Sequence, residues 1–378
     1  MKIAIYVQDM RASGVVRTMT AMARTWAAQG DDSVILAGYA AGIFGAADVA
    51  PARFVAAAER PRGRLARLAV VPHLRRTLRA VRPDVVLSGG NFGHFAIWAA
   101  TRGLRIPVVY VFSNAMARPG QPWRNRWRVI WSSLLVRGAA GAIVVGSGMA
   151  RSAVFAPHIA RGKAALVPNG IDLAAIPAPG AAMPTPMTGP EPVVLSIGRL
   201  QPQKNFEALI DAIAVARRTR AMRLVILGAG SDDYHEQLIA RARQRGIADH
   251  VLFAGVTDDV FPWLRAAPVF ALASRWEGSS IALLEAMAAG TPIVANRAAG
   301  DADDVLAGGR HGLVIDAEDT EAFAAALLSQ IDDPVRPGDR VREFDALAMM
   351  RAYHAMLTAA MAGRPGDPAK RCGTPPGP

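Results

Sequence analysis

The chain has 378 residues, 52% of them hydrophobic and 20% charged, which gives enough apolar material for two domain cores and excludes a disordered chain. Its one cysteine, Cys372, excludes an internal disulfide framework and a cysteine-based zinc site and suits a reducing compartment. The net charge of +12 is uneven: residues 1–178 hold 23 Lys or Arg against 7 Asp or Glu, and residues 179–378 hold 20 against 24, so the first half is the one expected to meet an anionic partner.

Met1–Val7 reads as a strand running into polar Gln8 and Asp9, not as a secretory signal. Further strand-like apolar runs follow at Ser33–Ala37, Asp84–Ser88, Val108–Phe112 and Ala142–Val145, with amphipathic segments such as Thr18–Ala28 between them. The second half repeats the alternation at Val193–Ile197, Arg223–Leu227, His250–Ala254, Val269–Ala273, Pro292–Ala295 and Gly312–Ile315. Near-continuous apolar strands separated by helices predict parallel sheets covered on both faces. The expected architecture is α/β: two doubly wound, Rossmann-like domains over 1–175 and 192–344, facing each other across a cleft. The stretch Leu173–Pro190 is uncharged and contains five prolines, so 176–191 reads as a linker and not as a membrane span. A last helix is expected over 345–361, followed by a disordered Pro- and Gly-rich tail over 362–378.

Ser274–Ala295 (SRWEGSSIALLEAMAAGTPIVA) follows a buried strand. Ser279 and Ser280 are placed to cap a helix from Ile281 to Ala289, with Gly290 closing it. The start of that helix suits a phosphate, and the nearby Glu277 and Glu285 can accept hydrogen bonds from a ribose diol. The plainer reading makes Glu277 a helix-dipole partner and Glu285 a solvated residue. In Ser196–Asn205 (SIGRLQPQKN), Arg199 and Lys204 lie in a strand-to-helix loop, and a planar fork beside a point charge suits a diphosphate. Gly14, in the turn Arg11–Arg17, would let the backbone approach a ligand. Gly228–Gly230 (LGAGSDD) spells part of a dinucleotide fingerprint but lacks its third glycine.

Arg199, Lys204, the Glu277–x7–Glu285 pair, Val167–Asp172 (VPNGID) and Gly290–Ala295 together resemble glycosyltransferase family 4, retaining nucleotide-sugar-dependent enzymes of the GT-B fold. The resemblance runs from the Gly14 loop to the last helix, and implies that this helix crosses back to the first domain. It implies that Arg199 and Lys204 bind the donor diphosphate and stabilise the leaving group. Glu285 would hold the ribose hydroxyls, and Glu277 would lie by the transferred sugar. The amides around Ser279, Ser280 and Ile281 would face the sugar or the phosphates, and Gly14 the diphosphate. The resemblance also implies that sugar leaves and acceptor attacks on one face, with the diphosphate helping to take the acceptor proton. No metal and no cofactor beyond the nucleotide-sugar, taken to be a UDP-sugar, is expected. Asp301–Asp304 (DADD) contains an Asp-x-Asp only by spelling.

The sequence departs from the family at two places. Ser279–Ser280 stands where an apolar residue is common, and Val111–Asn114 (VFSN) stands where many members have a histidine. Asn114 and His94 are therefore the candidates on the sugar and acceptor side. Trp123, Trp127, Ile130, Trp131 and Leu134 recur at helical spacing among Arg124, Arg126 and Arg128, and eight arginines fall within Arg60–Arg82. That pattern suits either a membrane headgroup layer or, for the Trp stripe, the domain core. No nucleic-acid motif is present. The expected partners are a nucleotide-sugar, a glycan or lipid-linked acceptor and an anionic membrane surface, with a cytoplasmic, membrane-peripheral location. A nucleotide-sugar epimerase of the same fold, or a glycosyltransferase-like binding protein with a decayed sugar site, are the competing readings.

Overall fold

The computed structural model describes all residues except 12, 60–65, 179, 181 and 364–378. Arg60, Arg62, Arg64, Cys372 and most of the expected tail therefore lie outside the described residues. Two compact units account for the rest. Unit 1 comprises Met1–Ala117, Gln121–Pro168 and the described residues from Met349 onward; unit 2 comprises Arg118–Gly120 and Asn169–Ala348.

Unit 1 carries a seven-stranded sheet in the order β3-β2-β1-β4-β5-β6-β7. Its strands are β1 (Lys2–Val7), β2 (Asp32–Tyr39), β3 (Arg53–Ala58), β4 (Val85–Gly89), β5 (Val108–Phe112), β6 (Gly141–Val144) and β7 (Ala164–Leu166). Every pairing is parallel. β3 and β7 were absent from the strands expected of the sequence. Both are edge strands: RFVAAA is alanine-rich and only partly buried, and AAL is three residues long. Neither shows the run of large branched or aromatic residues typical of a strand buried on both faces.

The second sheet, in unit 2, has the order β10-β9-β8-β11-β12-β13 and is also parallel. It contains β8 (Val193–Ile197), β9 (Arg223–Leu227), β10 (Val251–Gly255), β11 (Val269–Leu272), β12 (Ile293–Asn296) and β13 (Leu313–Ile315). Alternation decides which core each side chain joins. Val194, Leu224, Ile226, Val269, Ala271 and Val294 enter one cluster, while Val193, Leu195, Val225, Leu227, Phe270, Leu272 and Ile293 enter the other. Helices cover both faces for that reason.

The helices used below are α1 (Gly14–Ala28), α2 (Val71–Val81), α3 (His94–Thr101), α4 (Pro122–Gly138), α5 (Phe206–Ala216), α6 (Asp232–Gln244), α7 (Ile281–Ala288), α8 (Thr320–Asp332) and α9 (Ala346–Met361). α5 buries Phe206, Leu209, Ile210 and Ile213, a helical repeat that meets Phe323 and Leu327 of α8 in one cluster. Each such side chain contributes about 1.5–3 kcal/mol on burial.

The described residues of the stretch expected to be a linker are packed onto unit 2. Met187 is buried in its core, Arg223 donates to the Pro186 carbonyl at 3.2 Å, and Arg265 donates to that of Pro177. The first three residues of α9 group with unit 2 and the rest with unit 1. Met349, Met350, Tyr353, Met356 and Leu357 form its buried stripe. Within unit 1, His354 of α9 stands edge-on to Trp26 at 5.7 Å, with Nε2 2.9 Å from Asp31 Oδ2.

Candidate functional site

In a doubly wound sheet, ligands bind beyond the carboxyl ends of the strands where the strand order reverses. In unit 2 that point lies between β8 and β11, and the loops leaving these strands hold Arg199, Lys204 and Glu277.

The loop after β8 is laid flat along β9. Gly198 N–H donates to the Leu227 carbonyl at 2.9 Å and Leu200 N–H to that of Ala229 at 2.9 Å. Gly228 and Gly230 permit this contact. A Cβ on Gly228 would lie 1.8 Å from the Gly198 oxygen, and one on Gly230 would lie 2.1 Å from the Leu200 oxygen. Their spacing thus serves backbone packing, and the partial fingerprint in the sequence has a structural cause. Arg199 is exposed on this loop. A short 3₁₀ turn, Pro202–Lys204, then brings the Lys204 stem over Gly198, and Asn205 enters α5 with a left-handed φ of 55°.

Lys204 Nζ lies 2.6 Å from Glu277 Oε1, with side-chain exposures of 16% and 11%. Two further donors hold the same carboxylate. Ser274 Oγ donates to Oε1 at 3.0 Å, and Gln203 Nε2 donates to Oε2 at 3.2 Å and to the Trp276 carbonyl at 2.9 Å. Arg275 completes the bridge between the loops, its N–H donating to the Gln203 carbonyl at 2.9 Å and its Nη1 to that of Pro202 at 2.8 Å. Ser274 and Gln203 flank the expected residues in sequence, yet only the pairing of the two loops gives them a role.

α7 begins at Ile281 and has Ser280 at its N-cap position, but no side chain caps it. Ser279 and Ser280 were expected as caps; instead both hydroxyls are buried and unpartnered. The N–H groups of the first turn are thus left without a side-chain acceptor, as an anion site requires. Glu285 lies about one turn into the helix and is partly buried. Asn169, from the VPNGID turn, donates to the Ser279 carbonyl at 2.9 Å. Gly170 lets that turn press against α9, where a Cβ would lie 2.7 Å from Ala346 Cα. This motif therefore positions the α7 entry.

The loop after β12 also reaches this site. Asn296 is buried and fully used: Nδ2 donates to the Ala273 and Ser274 carbonyls at 3.3 and 3.0 Å, and Oδ1 accepts from Ala298 and Ala317 N–H, both at 3.2 Å. Gly300, with φ +71°, fits against the Glu277 loop so closely that a Cβ would lie 2.8 Å from the Gly278 oxygen and 2.9 Å from Glu277 Cβ. Asp301 follows and is buried. Burial pushes its carboxyl up to about 8; the Ser279 hydroxyl opposes this, while the charges of Asp304 and Glu277 add to it. At pH 7 the acid is therefore largely neutral. Among the described residues no group of three or more His, Cys, Asp or Glu is placed to hold a metal ion.

The remaining candidates belong to unit 1, after β1, β4 and β5. Gly14 is not a turn glycine, as had been expected: it is the first residue of α1, capped by Ser13 Oγ accepting from Val16 N–H at 3.2 Å. His94 opens α3 but does not offer itself to a ligand. It is 1% exposed, its Nε2–H donates to the Val111 carbonyl at 3.1 Å, and its Nδ1 accepts from the Ser88 hydroxyl at 2.9 Å. Asn114 is half-buried, with its Oδ1 unpartnered. Asn91, which was not singled out, fixes that loop by accepting from Ser113 N–H at 2.8 Å.

Burial pushes the His94 imidazole down to about 3, against the raising effect of its bond to Val111. An unfolded imidazole takes a proton near 6.5. The stabilisation is therefore complete above that pH and is lost as the pH falls from about 6.5 towards 3, by at most about 1.4 kcal/mol per unit. Proton NMR of the His94 ring should show no titration between pH 7 and pH 4; a midpoint near 6.5 would contradict this buried, neutral assignment.

Solved structures match this backbone over nearly its whole length. Sucrose-phosphate synthase from Thermosynechococcus elongatus matches with a TM-score of 0.79 at 19% identity, over 95% of this chain and 99% of that one. Anabaena HepE in complex with UDP and glucose matches with a TM-score of 0.76 at 19% identity, over 95% and 100%. The fold is thus that of the GT-B class. A model described as Glycosyltransferase Family 4 matches residues 12–175, and one described as Glycosyl transferases group 1 matches residues 191–333. The chain belongs to glycosyltransferase family 4.

Among curated relatives, the lipopolysaccharide core biosynthesis glycosyltransferase LpsE of Rhizobium meliloti is 36% identical over 176 residues, 44% of this chain and 50% of that protein. The GDP-mannose-dependent alpha-(1-6)-phosphatidylinositol monomannoside mannosyltransferase of Mycolicibacterium smegmatis is 37% identical over 158 residues, 39% of this chain and 41% of that one. D-inositol 3-phosphate glycosyltransferase of Jonesia denitrificans is 30% identical over 284 residues, 68% and 66%. This chain thus spans half or less of the length of the first two.

Proposed function

We propose that the protein is a retaining glycosyltransferase that moves a hexosyl group from a nucleoside-diphosphate sugar to a glycan or lipid-linked saccharide. The observation that carries this reading is the Lys204–Glu277 pair at the strand-order reversal of unit 2, beside the uncapped start of α7 and the exposed Arg199. Lys204, Arg199 and the α7 amides would bind the diphosphate and neutralise the charge that develops as it leaves. Those cations and amides would do so with no metal ion. Glu277 would hold the transferred sugar, and Glu285 the ribose. UDP is the nucleotide proposed, in view of the likeness to HepE; the GDP-mannose-dependent relative makes GDP the other arm of the test.

The test is thermal unfolding with UDP, GDP and ADP, without magnesium and then with it. A ligand at ~100 times its dissociation constant adds about 2.7 kcal/mol of stability. A shift with one diphosphate in the absence of magnesium is expected. A shift only with magnesium would overturn the metal-independent site, and no shift with any would overturn the donor site itself.

A membrane-presented acceptor is part of the proposal, and α4 supports it. Trp123 is 74% exposed, Trp127 68% and Leu134 55%, with Arg124 and Arg126 exposed beside them. Of the helix, Ser132, Leu135 and Val136 are buried. Trp131 behaves differently, meeting Trp98 at 5.3 Å and Phe95 at 5.9 Å. The described residues include no helix long and apolar enough to cross a membrane, so contact would be made by this aromatic, cationic face. Replacing Trp123 and Trp127 together by alanine should weaken binding to vesicles containing anionic lipid by at least about tenfold, since burying the apolar surface of a large side chain contributes about 1.5–3 kcal/mol. Nucleotide affinity should not move; unchanged vesicle binding would remove the face from the acceptor side.

A further inference from the structure

Three buried polar atoms around the start of α7, Ser279 Oγ, Ser280 Oγ and Asp301 Oδ1, make no hydrogen bond of full geometry, although the Ser279 hydroxyl lies close enough to the Asp301 carboxyl to oppose its upward shift. Their residues are 9%, 4% and 3% exposed. Leaving a buried polar atom unpaired costs about 1–3 kcal/mol, so three around one helix start form a concentration of unmet hydrogen bonding that a ligand can relieve.

The frame around them is fixed. Asn169 holds the Ser279 carbonyl, Asn296 ties the end of β12 to the end of β11 with two bonds and to Ala298 and Ala317 with two more, and Gly300 allows the loop after β12 to lie against Glu277. The backbone therefore has little freedom to satisfy these atoms itself. A serine hydroxyl needs only a rotation about χ1 to change partner.

The chemistry of the set narrows the ligand. Each serine hydroxyl both donates and accepts, and so does a neutral carboxyl; the neighbouring Glu277 carboxylate only accepts. A sugar hydroxyl also does both, so adjacent hydroxyls can satisfy the whole group. An anionic substituent would meet the Glu277 charge and fit worse.

We propose that Ser279, Ser280 and Asp301 form a pocket that reads the hydroxyl groups of the transferred sugar, with Asp301 the residue that determines which neutral sugar is accepted. The proposal rests on the donor-site reading above. It assigns a function to the DADD segment that its spelling alone did not suggest. The Asp301 carboxyl acts there as an uncharged hydrogen-bonding group, as its raised proton affinity allows.

The test is calorimetric titration of UDP, GDP, UDP-glucose, UDP-galactose, UDP-N-acetylglucosamine and GDP-mannose into the wild type and three variants. Asp301→Ala should weaken the preferred sugar nucleotide by about tenfold or more and leave the free diphosphate within about twofold. Asp301→Asn, which keeps a donor and an acceptor in the same shape, should retain sugar-nucleotide affinity within about threefold. Ser279→Ala should reproduce the loss, and it supplies the readout if Asp301→Ala does not fold. Equal losses for diphosphate and sugar nucleotide, or no loss for either, would overturn the pocket while leaving the donor site standing. A wild type that binds none of the six would overturn the donor site and the pocket together.

Discussion

Lys204→Ala is expected to weaken nucleoside-diphosphate binding by about 1.5–3 kcal/mol, the scale of a hydrogen bond to a charged group. Titration calorimetry reads this directly, and unchanged affinity would remove Lys204 from the phosphate site. The same substitution has a second expected effect, because Lys204 also pairs with Glu277 at 2.6 Å where both side chains are largely covered. Removing the cation leaves the carboxylate with the neutral donors Ser274 and Gln203, at a cost of about 3 kcal/mol in folding stability. The double variant Lys204→Met with Glu277→Gln should recover most of that stability and none of the affinity. If the double variant is as unstable as Lys204→Ala, the pair is not what the single substitution disturbs.

Gly228→Ala should destabilise the protein by about 2–5 kcal/mol, the sum of backbone strain and overpacking. Its φ of +148° is one that residues with a side chain rarely adopt, and the new methyl would overlap the Gly198 oxygen. The control is Gly246→Ala: φ there is +70°, with nothing within 4 Å of the added carbon, so the conformational part alone, about 1–2 kcal/mol, should appear. Urea unfolding compares the two. Equal losses would mean that the crossing of the β8 and β9 loops is not a tight contact. A much larger loss at 228 should also be accompanied by weaker diphosphate binding, because the displaced loop carries Arg199 and leads to Lys204.

What could be read from the residues depended on how many neighbours each one needed. Strands buried on both faces, such as Val193–Ile197 and Val108–Phe112, announce themselves as runs of large branched or aromatic residues, whereas the alanine-rich edge strands Arg53–Ala58 and Ala164–Leu166 do not. Arg199, Lys204 and Glu277 were legible because the loops after β8 and β11 follow directly from the strand pattern. Gln203, Ser274, Asn169 and Asn296 were not singled out as site residues, since each works through bonds to segments distant in the chain or across a loop. The serines before α7 have the composition of caps, and only burial shows that they do not act as such. His94 was a candidate because Val111–Asn114 lacks the histidine that many family members carry; in three dimensions it is enclosed by Tyr110 and Phe112, with ring centroids at 5.0 and 5.1 Å. The tryptophan repeat of α4 gave one periodicity to two destinations, Trp131 packing inward on Trp98 and Trp123 and Trp127 facing out.

The assignment of most of α9 to unit 1 has a consequence for the order in which a nascent chain can finish its parts. A chain made from its N-terminus completes all of unit 2 before the segment from Met349 emerges, although the sheet of unit 1 was made first. Until then, Trp26 and Asp31 lack the His354 ring, and the apolar surface that receives Tyr353 and Leu357 stays open to water. The earlier-made unit is therefore the later one to close, and a nascent chain held with Met349 still inside the ribosomal tunnel would display a completed second unit while the apolar seam of the first is still uncovered.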